Sequence, residues 1–124
     1  MNSAQLPFLV EGILILVCMV FGTLLGRAGK PYGRVKLITH IFLFAWLTTG
    51  FGFTFYGLLT MNGSQMIWIP MSIFGLTILI QLVTGIIMMV SRNVGKSLPM
   101  IHLGSAILMI LSDISALGIA MHGA

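Results

Sequence analysis

Four long apolar runs, separated by short polar segments, occupy almost the whole of this chain. Hydrophobic residues make up 58% of the sequence and charged residues only 6%, whereas soluble domains contain roughly 25% charged residues. A helix needs about 20 apolar residues to cross the hydrocarbon core of a bilayer. The runs therefore predict four transmembrane helices, with expected bounds of 8–26, 35–59, 66–90 and 98–121.

The basic residues predict how these helices are oriented. The six Lys and Arg side chains all lie in the first and third connections, at Arg27, Lys30, Arg34, Lys36, Arg92 and Lys96. The N-terminal segment, the middle connection and the C-terminal tail contain no Lys or Arg. Because basic loops stay on the cytoplasmic side of a membrane, we expect a multi-pass protein of the inner-membrane type. Both basic loops would lie in the cytoplasm and both termini outside.

Short connections favour antiparallel neighbours, so the expected fold is all-α, an up-down bundle of four transmembrane helices forming one domain over residues 1–124. The two halves also show a weak internal repeat. Each half has Arg, then Gly-Lys, then Pro, then His in the same order. The spacing differs, since Arg27 precedes His40 by 13 residues and Arg92 precedes His102 by 10. Duplication is therefore one of two interpretations of this pattern.

Composition and motifs exclude several classes of function. Four spans leave no room for a soluble domain, and the net charge of +4 lies beside the membrane, where it sets orientation and contacts lipid rather than nucleic acid. No phosphate-binding glycine loop or His-Glu-x-x-His motif is present. His102 and Asp113 lie about 16 Å apart along one helix, so no Ser-His-Asp set shares one depth. The chain is expected to have no catalytic set of its own, and at most to transfer electrons within a membrane oxidoreductase.

Two histidines provide the main functional signal. His40 and His102 each follow a basic connection by a few residues, so both enter the bilayer from the same face at similar depth. Helices two and four run parallel in an up-down bundle, and two imidazoles at one depth can ligate a haem iron axially. The sequence therefore predicts His40 and His102 as iron ligands of one haem b near the cytoplasmic face.

Neighbouring residues bear on this haem hypothesis in both directions. Arg34 and Lys36 near His40, and Lys96 near His102, are candidate contacts for the haem propionates. Small residues lie in the inner half of the other spans and would leave room for a macrocycle: Gly22, Thr23, Gly26, Thr84 and Gly85. Leu47 and Met109 argue against it, because these large side chains lie seven positions beyond the histidines on the same faces.

The two histidines also have interpretations that do not involve haem. Both can be packing residues that hydrogen-bond between helices, and Gly22-x-x-x-Gly26 is equally a helix-packing motif that needs no cofactor. A histidine pair at one depth also permits ligation of magnesium in chlorophyll. Another metal or proton handling would also use imidazole side chains.

Three further polar residues lie inside the predicted spans. Asp113 comes 11 residues after His102, which returns it to within about 20° of the same helix face. It is either part of a proton or quinone site, or a hydrogen-bonded contact between helices or subunits. Gln81 has the same two interpretations, an interhelical hydrogen bond being the simpler. Glu11 lies near the outer end of helix one, where we expect it to reach water.

These observations favour a small integral-membrane subunit of a larger membrane complex, with b-type cytochrome-like electron transfer between a partner subunit and a quinone or second cofactor. The architecture resembles that of small membrane-anchor cytochromes. The alternative is a cofactor-free accessory subunit that stabilises a large complex. A small proton-coupled transporter is a third hypothesis, since the chain length and the helix-one glutamate resemble the small multidrug resistance exporters. Those exporters place this glutamate deeper, however, and their dual-topology members need balanced Lys and Arg.

Overall fold

The computed structural model describes residues 5–60, 65–91 and 94–122. Its helices are α1 (Leu6–Ala28), α2 (Arg34–Thr60), α3 (Trp68–Val90) and α4 (Ser97–Met121), with one 3-10 turn at Gln65–Ile67 before α3. Each of the four spans is long and apolar enough to cross a membrane, and their mean hydropathies are 2.5, 1.5, 2.4 and 1.9. The four spans begin and end within two residues of the predicted bounds, and the protein is an integral, multi-pass membrane protein.

Local sequence explains how α1 begins and ends. Pro7 lies in the first turn, where its missing N–H costs no helical hydrogen bond. At the other end Gly29 has a φ of +71°, and its N–H donates to the carbonyl of Leu25 at 3.1 Å. The Nζ of Lys30 then donates to the carbonyls of Met89, at 3.4 Å, and of Ser91. Lys30 therefore covers the C-terminal end of α3, where carbonyls lack helical partners.

The contacts between helices define an antiparallel bundle. Cys18 lies beside His40 and Glu11 beside Gly50, so α1 and α2 run in opposite directions. Helices α3 and α4 pack against each other in the same antiparallel way. Helix α1 also packs against α4, and α2 makes a small contact with α3. The order around the bundle is therefore α2, α1, α4, α3, which places α2 and α4 on a diagonal.

We call the two ends of the bundle the basic end and the terminal end. The basic end carries the connection 29–33 and residues 91 and 94–96 of the connection before α4; that connection also contains Arg92, which lies outside the described residues. The terminal end carries the first turn of α1, the last turn of α4 and the 3-10 turn Gln65–Ile67. These names describe the bundle only, and the side of the membrane that each end faces is a separate question.

Two apolar clusters fill the bundle interior. The central cluster joins all four helices and consists of Ile15, Leu47, Phe74, Ile78 and Met109. A second cluster of Phe8, Ile67, Met71 and Ala116 fills the terminal end. Leu47 is the one buried residue among the 27 of α2, and the outward side chains of the described residues are mostly apolar. Such a surface suits lipid acyl chains, which cover it in a bilayer.

Candidate cofactor site

His40 and His102 face each other across the diagonal of the bundle. Their ring centroids are 6.4 Å apart and the ring planes make an angle of 56°. His40 lies six residues into α2 and His102 five residues into α4, which are rises of about 9 Å and about 8 Å from the basic end. The two parallel helices therefore bring the imidazoles to one depth.

The imidazole of His40 is oriented by the backbone of α1. Its Nδ1 lies 3.0 Å from the carbonyl oxygen of Cys18 and 3.4 Å from the sulfur of that residue. A carbonyl oxygen can only accept, so Nδ1 carries the proton and donates it. The neutral ring then has its lone pair on Nε2, which is the nitrogen available to a metal.

The imidazole of His102 is oriented in the same way by α3. Its Nδ1 lies 2.6 Å from the hydroxyl oxygen of Thr84. That hydroxyl donates its own proton to the carbonyl of Ile80 at 2.6 Å, so it accepts the proton of Nδ1. The lone pair of His102 is again on Nε2. Neither Nε2 atom has a hydrogen-bond partner among residues 5–60, 65–91 and 94–122.

Glycines allow both rings to approach the preceding helix. A Cβ at Gly22 would stand 3.1 Å from Cε1 of His40, and one at Gly85 would stand 3.6 Å from Cε1 of His102. A Cβ at Gly26, by contrast, would meet nothing within 4 Å, and Thr23 bonds the carbonyl of Met19 on an exposed face. Only three of the five small residues singled out in the sequence therefore reach the imidazoles, and Gly26 is no packing contact.

The large residues on the histidine faces do not lie at the level of the imidazoles. Leu47 and Met109 are 1% and 2% exposed and belong to the central cluster. Each lies seven residues from its histidine, a rise of about 10 Å. Their burial means that the faces carrying His40 and His102 point into the bundle. At the depth of the imidazoles, the neighbouring helices present glycines instead of large side chains.

Gln81 belongs to this site rather than standing alone in α3. Its side-chain amide donates to the backbone carbonyl of His102 and to the hydroxyl of Ser105. Both acceptors are on α4, so the interhelical hydrogen bond expected from the sequence is present. It positions the backbone of His102 against α3, while Thr84 of the same helix holds the imidazole.

The basic residues predicted to contact propionates lie around the basic end. Arg34, Lys36 and Lys96 are exposed in or beside the first turns of α2 and α4. None of them makes an ion pair with the part of the chain that the structure describes. Their charges are therefore free to meet an anionic group, and the propionate contact stays a prediction.

Asp113 does not join the histidines. It lies in the terminal half of α4, where it lines a cavity together with Glu11 of α1. The expectation that Glu11 reaches water is wrong, because its side chain is only 5% exposed. The reason is Gly50 on α2, which leaves the space that the Glu11 carboxyl occupies. A pattern in the sequence pointed this way, since Glu11 shares a helical face with the buried residues Ile15 and Cys18.

The donor set decides which kind of cofactor the histidine pair can hold. The described residues contain no group of three or more His, Cys, Asp or Glu side chains that could hold a metal ion. Two imidazoles therefore suit a cofactor that brings its own remaining ligands. No protein family, curated protein or solved structure matches this chain, so the residues and their geometry alone carry the functional argument.

Proposed function

We propose that this chain is a b-type cytochrome subunit of a larger membrane complex and holds one haem between His40 and His102. The facing imidazoles, with both Nδ1 atoms engaged and both Nε2 atoms unpartnered among the described residues, are the observation that carries the proposal. An imidazole nitrogen lies about 2 Å from a metal it ligates, so rings on opposite sides of one metal have centroids about 6 Å apart. The observed 6.4 Å fits this requirement.

Haem fits this pair of ligands better than a bare transition-metal ion or chlorophyll does. A porphyrin brings its own nitrogen ligands for the iron, so His40 and His102 would have to supply only the remaining ones. A bare transition metal would need further protein ligands. Magnesium prefers oxygen ligands in proteins, so a pair of imidazoles favours iron over the magnesium of chlorophyll.

Each residue of the site would have a separate role toward the haem. His40 and His102 would ligate the iron, while the Cys18 carbonyl and the Thr84 hydroxyl fix the tautomer and the orientation of the rings. Arg34, Lys36 and Lys96 would bind the propionates at the basic end. When bound, the haem supplies one-electron redox chemistry. The protein contributes position, basicity of the ligands and exclusion of water.

The position of the histidines implies partners. Both lie within about 9 Å of the basic end, so one haem there does not bridge the bilayer. We infer that a partner subunit and a quinone or second cofactor complete the electron path. By the positive-inside rule the basic end would face the cytoplasm, with both termini on the other side of an inner-type membrane.

We further infer that the two halves of the chain are structural repeats. Gly22 lies against His40 as Gly85 lies against His102, and Cys18 and Gln81 each approach the carbonyl of the facing histidine. The terminal half has a similar pair of equivalent contacts. Gly12 lies against Asp113 in one half of the chain, as Gly75 lies against Phe51 in the other. A two-fold relation of this kind supports a cofactor site placed between the halves.

A cofactor-free accessory subunit is the second candidate function. The observation that favours it is the set of hydrogen bonds that already joins the helices without a ligand, made by Gln81, Thr84 and His40. In this case the histidines would be packing residues within a larger complex. The two candidates differ in whether the purified protein contains a pigment.

Visible spectra of the purified protein separate the two candidates. We expect a sharp reduced-minus-oxidised α-band with one haem b per chain. The band should disappear in His40→Ala and His102→Ala and persist in His122→Ala, because the third histidine lies at the far end of α4. A protein that stays colourless after titration with haemin would contradict the cytochrome function and favour the accessory role. A red-absorbing pigment extracted from it would indicate chlorophyll.

A further inference from the structure

Two carboxyl side chains in the terminal half of the bundle line one small cavity. Glu11 of α1 is 5% exposed and Asp113 of α4 is 3% exposed. Aromatic, thioether and hydroxyl side chains complete the lining: Phe8, Phe51, Thr54, Met71 and Phe74. The cavity measures about 10 Å³, which is room for about one water molecule. The sequence contains no other Asp or Glu, so all of its acidic side chains meet at this one place.

Glycines on the neighbouring helices make room for both carboxyls. An oxygen of Glu11 occupies the space that a Cβ at Gly50 would need, and Oδ2 of Asp113 lies 2.8 Å from the Cβ position of Gly12. Gly12 directly follows Glu11, so both carboxyls are held at one level of α1. The two carboxyls each lie against a glycine at one depth, so the packing of the helices places them together inside the bundle.

No hydrogen bond joins either carboxyl to the described residues, and one oxygen of each is buried as well. Oε2 of Glu11 and Oδ1 of Asp113 are buried, and neither makes a hydrogen bond to the described residues. A buried polar atom without a hydrogen bond is costly. These unpartnered oxygens therefore require a proton or another hydrogen-bond donor that the four helices do not supply.

No positive charge faces the pair from any of the four helices. Among the described residues of the lining, α2 presents Thr54, whose hydroxyl donates to the carbonyl of Gly50 at 3.0 Å, and α3 presents Met71 and Phe74. The Lys and Arg residues that the structure describes all lie at the basic end, either in a connection or in the helix turn that borders it. Two ionised carboxylates buried at one place without a counter-charge would repel each other strongly.

We propose that Glu11 and Asp113 form a proton-binding pair, in which the two side chains together hold at least one proton at neutral pH. The proton comes from water, forms an O–H bond on one carboxyl, and is donated in a hydrogen bond toward the unpartnered oxygen of the other. A metal cation suits the site less well, because two residues provide too few ligands and the cavity is small. Glu11 lies five residues from the start of α1, so exchange with water would occur through the terminal end.

Infrared spectroscopy of the protein in vesicles of ether-linked lipids, which have no ester carbonyl, tests this proposal directly. Because Glu11 and Asp113 are the only acidic residues, the carbonyl band of a protonated carboxylic side chain can come from nothing else, and the C-terminal carboxyl is common to all variants. We expect such a band at neutral pH, with a shift in D₂O and a loss at alkaline pH. It should weaken in Glu11→Gln or Asp113→Asn, vanish in the double variant, and persist in Thr54→Val, which changes the cavity without removing a carboxyl.

The interaction between the groups gives a second criterion. A coupled pair loses its protons in separated steps, whereas each single variant should show one step. Absence of a protonated band in the wild-type protein at neutral pH would overturn the proposal, and so would a wild-type titration equal to the sum of the two single variants. If a variant fails to fold, the wild-type band and its pH dependence still decide. The measurement needs no haem, so its outcome is independent of the cytochrome function.

Discussion

Gly22 of α1 lies directly against the imidazole of His40 on α2, so that a Cβ at position 22 would stand 3.1 Å from the ring. At this distance the ring must move by a few tenths of an ångström to accept even a methyl group. The ring is also held by its hydrogen bond to the carbonyl of Cys18, four residues earlier on α1. The close approach of α1 and α2 therefore sets the position of a proposed iron ligand.

Enlarging Gly22 should disturb the histidine site, and the same change at Gly26 should not. We expect Gly22→Leu to cost about 1–3 kcal/mol of stability through overpacking and to lower the haem content of the purified protein, with Gly22→Ala milder. Gly26→Ala is the matched control for Gly22→Ala and Gly26→Leu for Gly22→Leu, because a Cβ at position 26 meets nothing within 4 Å. Thermal unfolding in detergent and the haem-to-protein ratio measure the two effects. A Gly22→Leu protein with normal stability and haem content would contradict this geometry.

Replacing Thr84 should weaken haem binding through the orientation of His102. Thr84→Val removes the oxygen that accepts the proton of Nδ1, and loss of such an outer-shell partner lowers metal affinity about 10- to 100-fold. Thr84→Ser keeps the hydroxyl and should bind haem nearly as well as the wild type. Titration of the apoprotein with haemin, followed by absorbance, gives the affinities. Equal affinities for the valine and serine variants would show that the hydrogen bond plays no part in ligation.

Replacing Gln81 should loosen the contact between α3 and α4. Its amide bonds the carbonyl of His102 and the hydroxyl of Ser105, and interhelical hydrogen bonds in membranes contribute about 1 kcal/mol. Gln81→Leu should therefore lower the free energy of unfolding by about this amount. Ser115→Ala is the control, since that hydroxyl bonds only its own helix at Leu111. Denaturant titration in mixed micelles compares the variants, and an unchanged Gln81→Leu protein would argue against the network.

The orientation of the bundle can be measured separately from its function. If the basic end faces the cytoplasm, alkaline phosphatase fused to the C-terminus should be active and a fluorescent protein fused there should be dark. Moving the basic residues to the middle connection should weaken or reverse this result, since Lys and Arg set topology. A fluorescent C-terminal fusion on the wild-type sequence would place the termini in the cytoplasm and move the proposed haem to the opposite face.

The sequence allowed the spans to be predicted because hydropathy and loop charge act locally. Each run is long enough to cross the bilayer wherever its neighbours lie. The basic connections also predict where α2 and α4 begin. The equal depth of His40 and His102 also follows from counting residues along parallel helices. The interpretation of Glu11 failed, because counting gives depth along a helix but not the neighbour that the side chain meets.

Pairing between helices was decided only by the tertiary structure. Whether Glu11 is buried depends on Gly50, which lies 39 positions away and leaves the space that the carboxyl takes. Its proximity to Asp113, and the choice of Cys18 and Thr84 as partners of the histidines, likewise depend on which helix faces lie together. The sequence by itself determined how many helices cross the membrane and at what depth each polar group lies, because burial of apolar residues in lipid depends on local composition. Packing determined which groups touch, because a side chain without a partner on its own helix must find one on another.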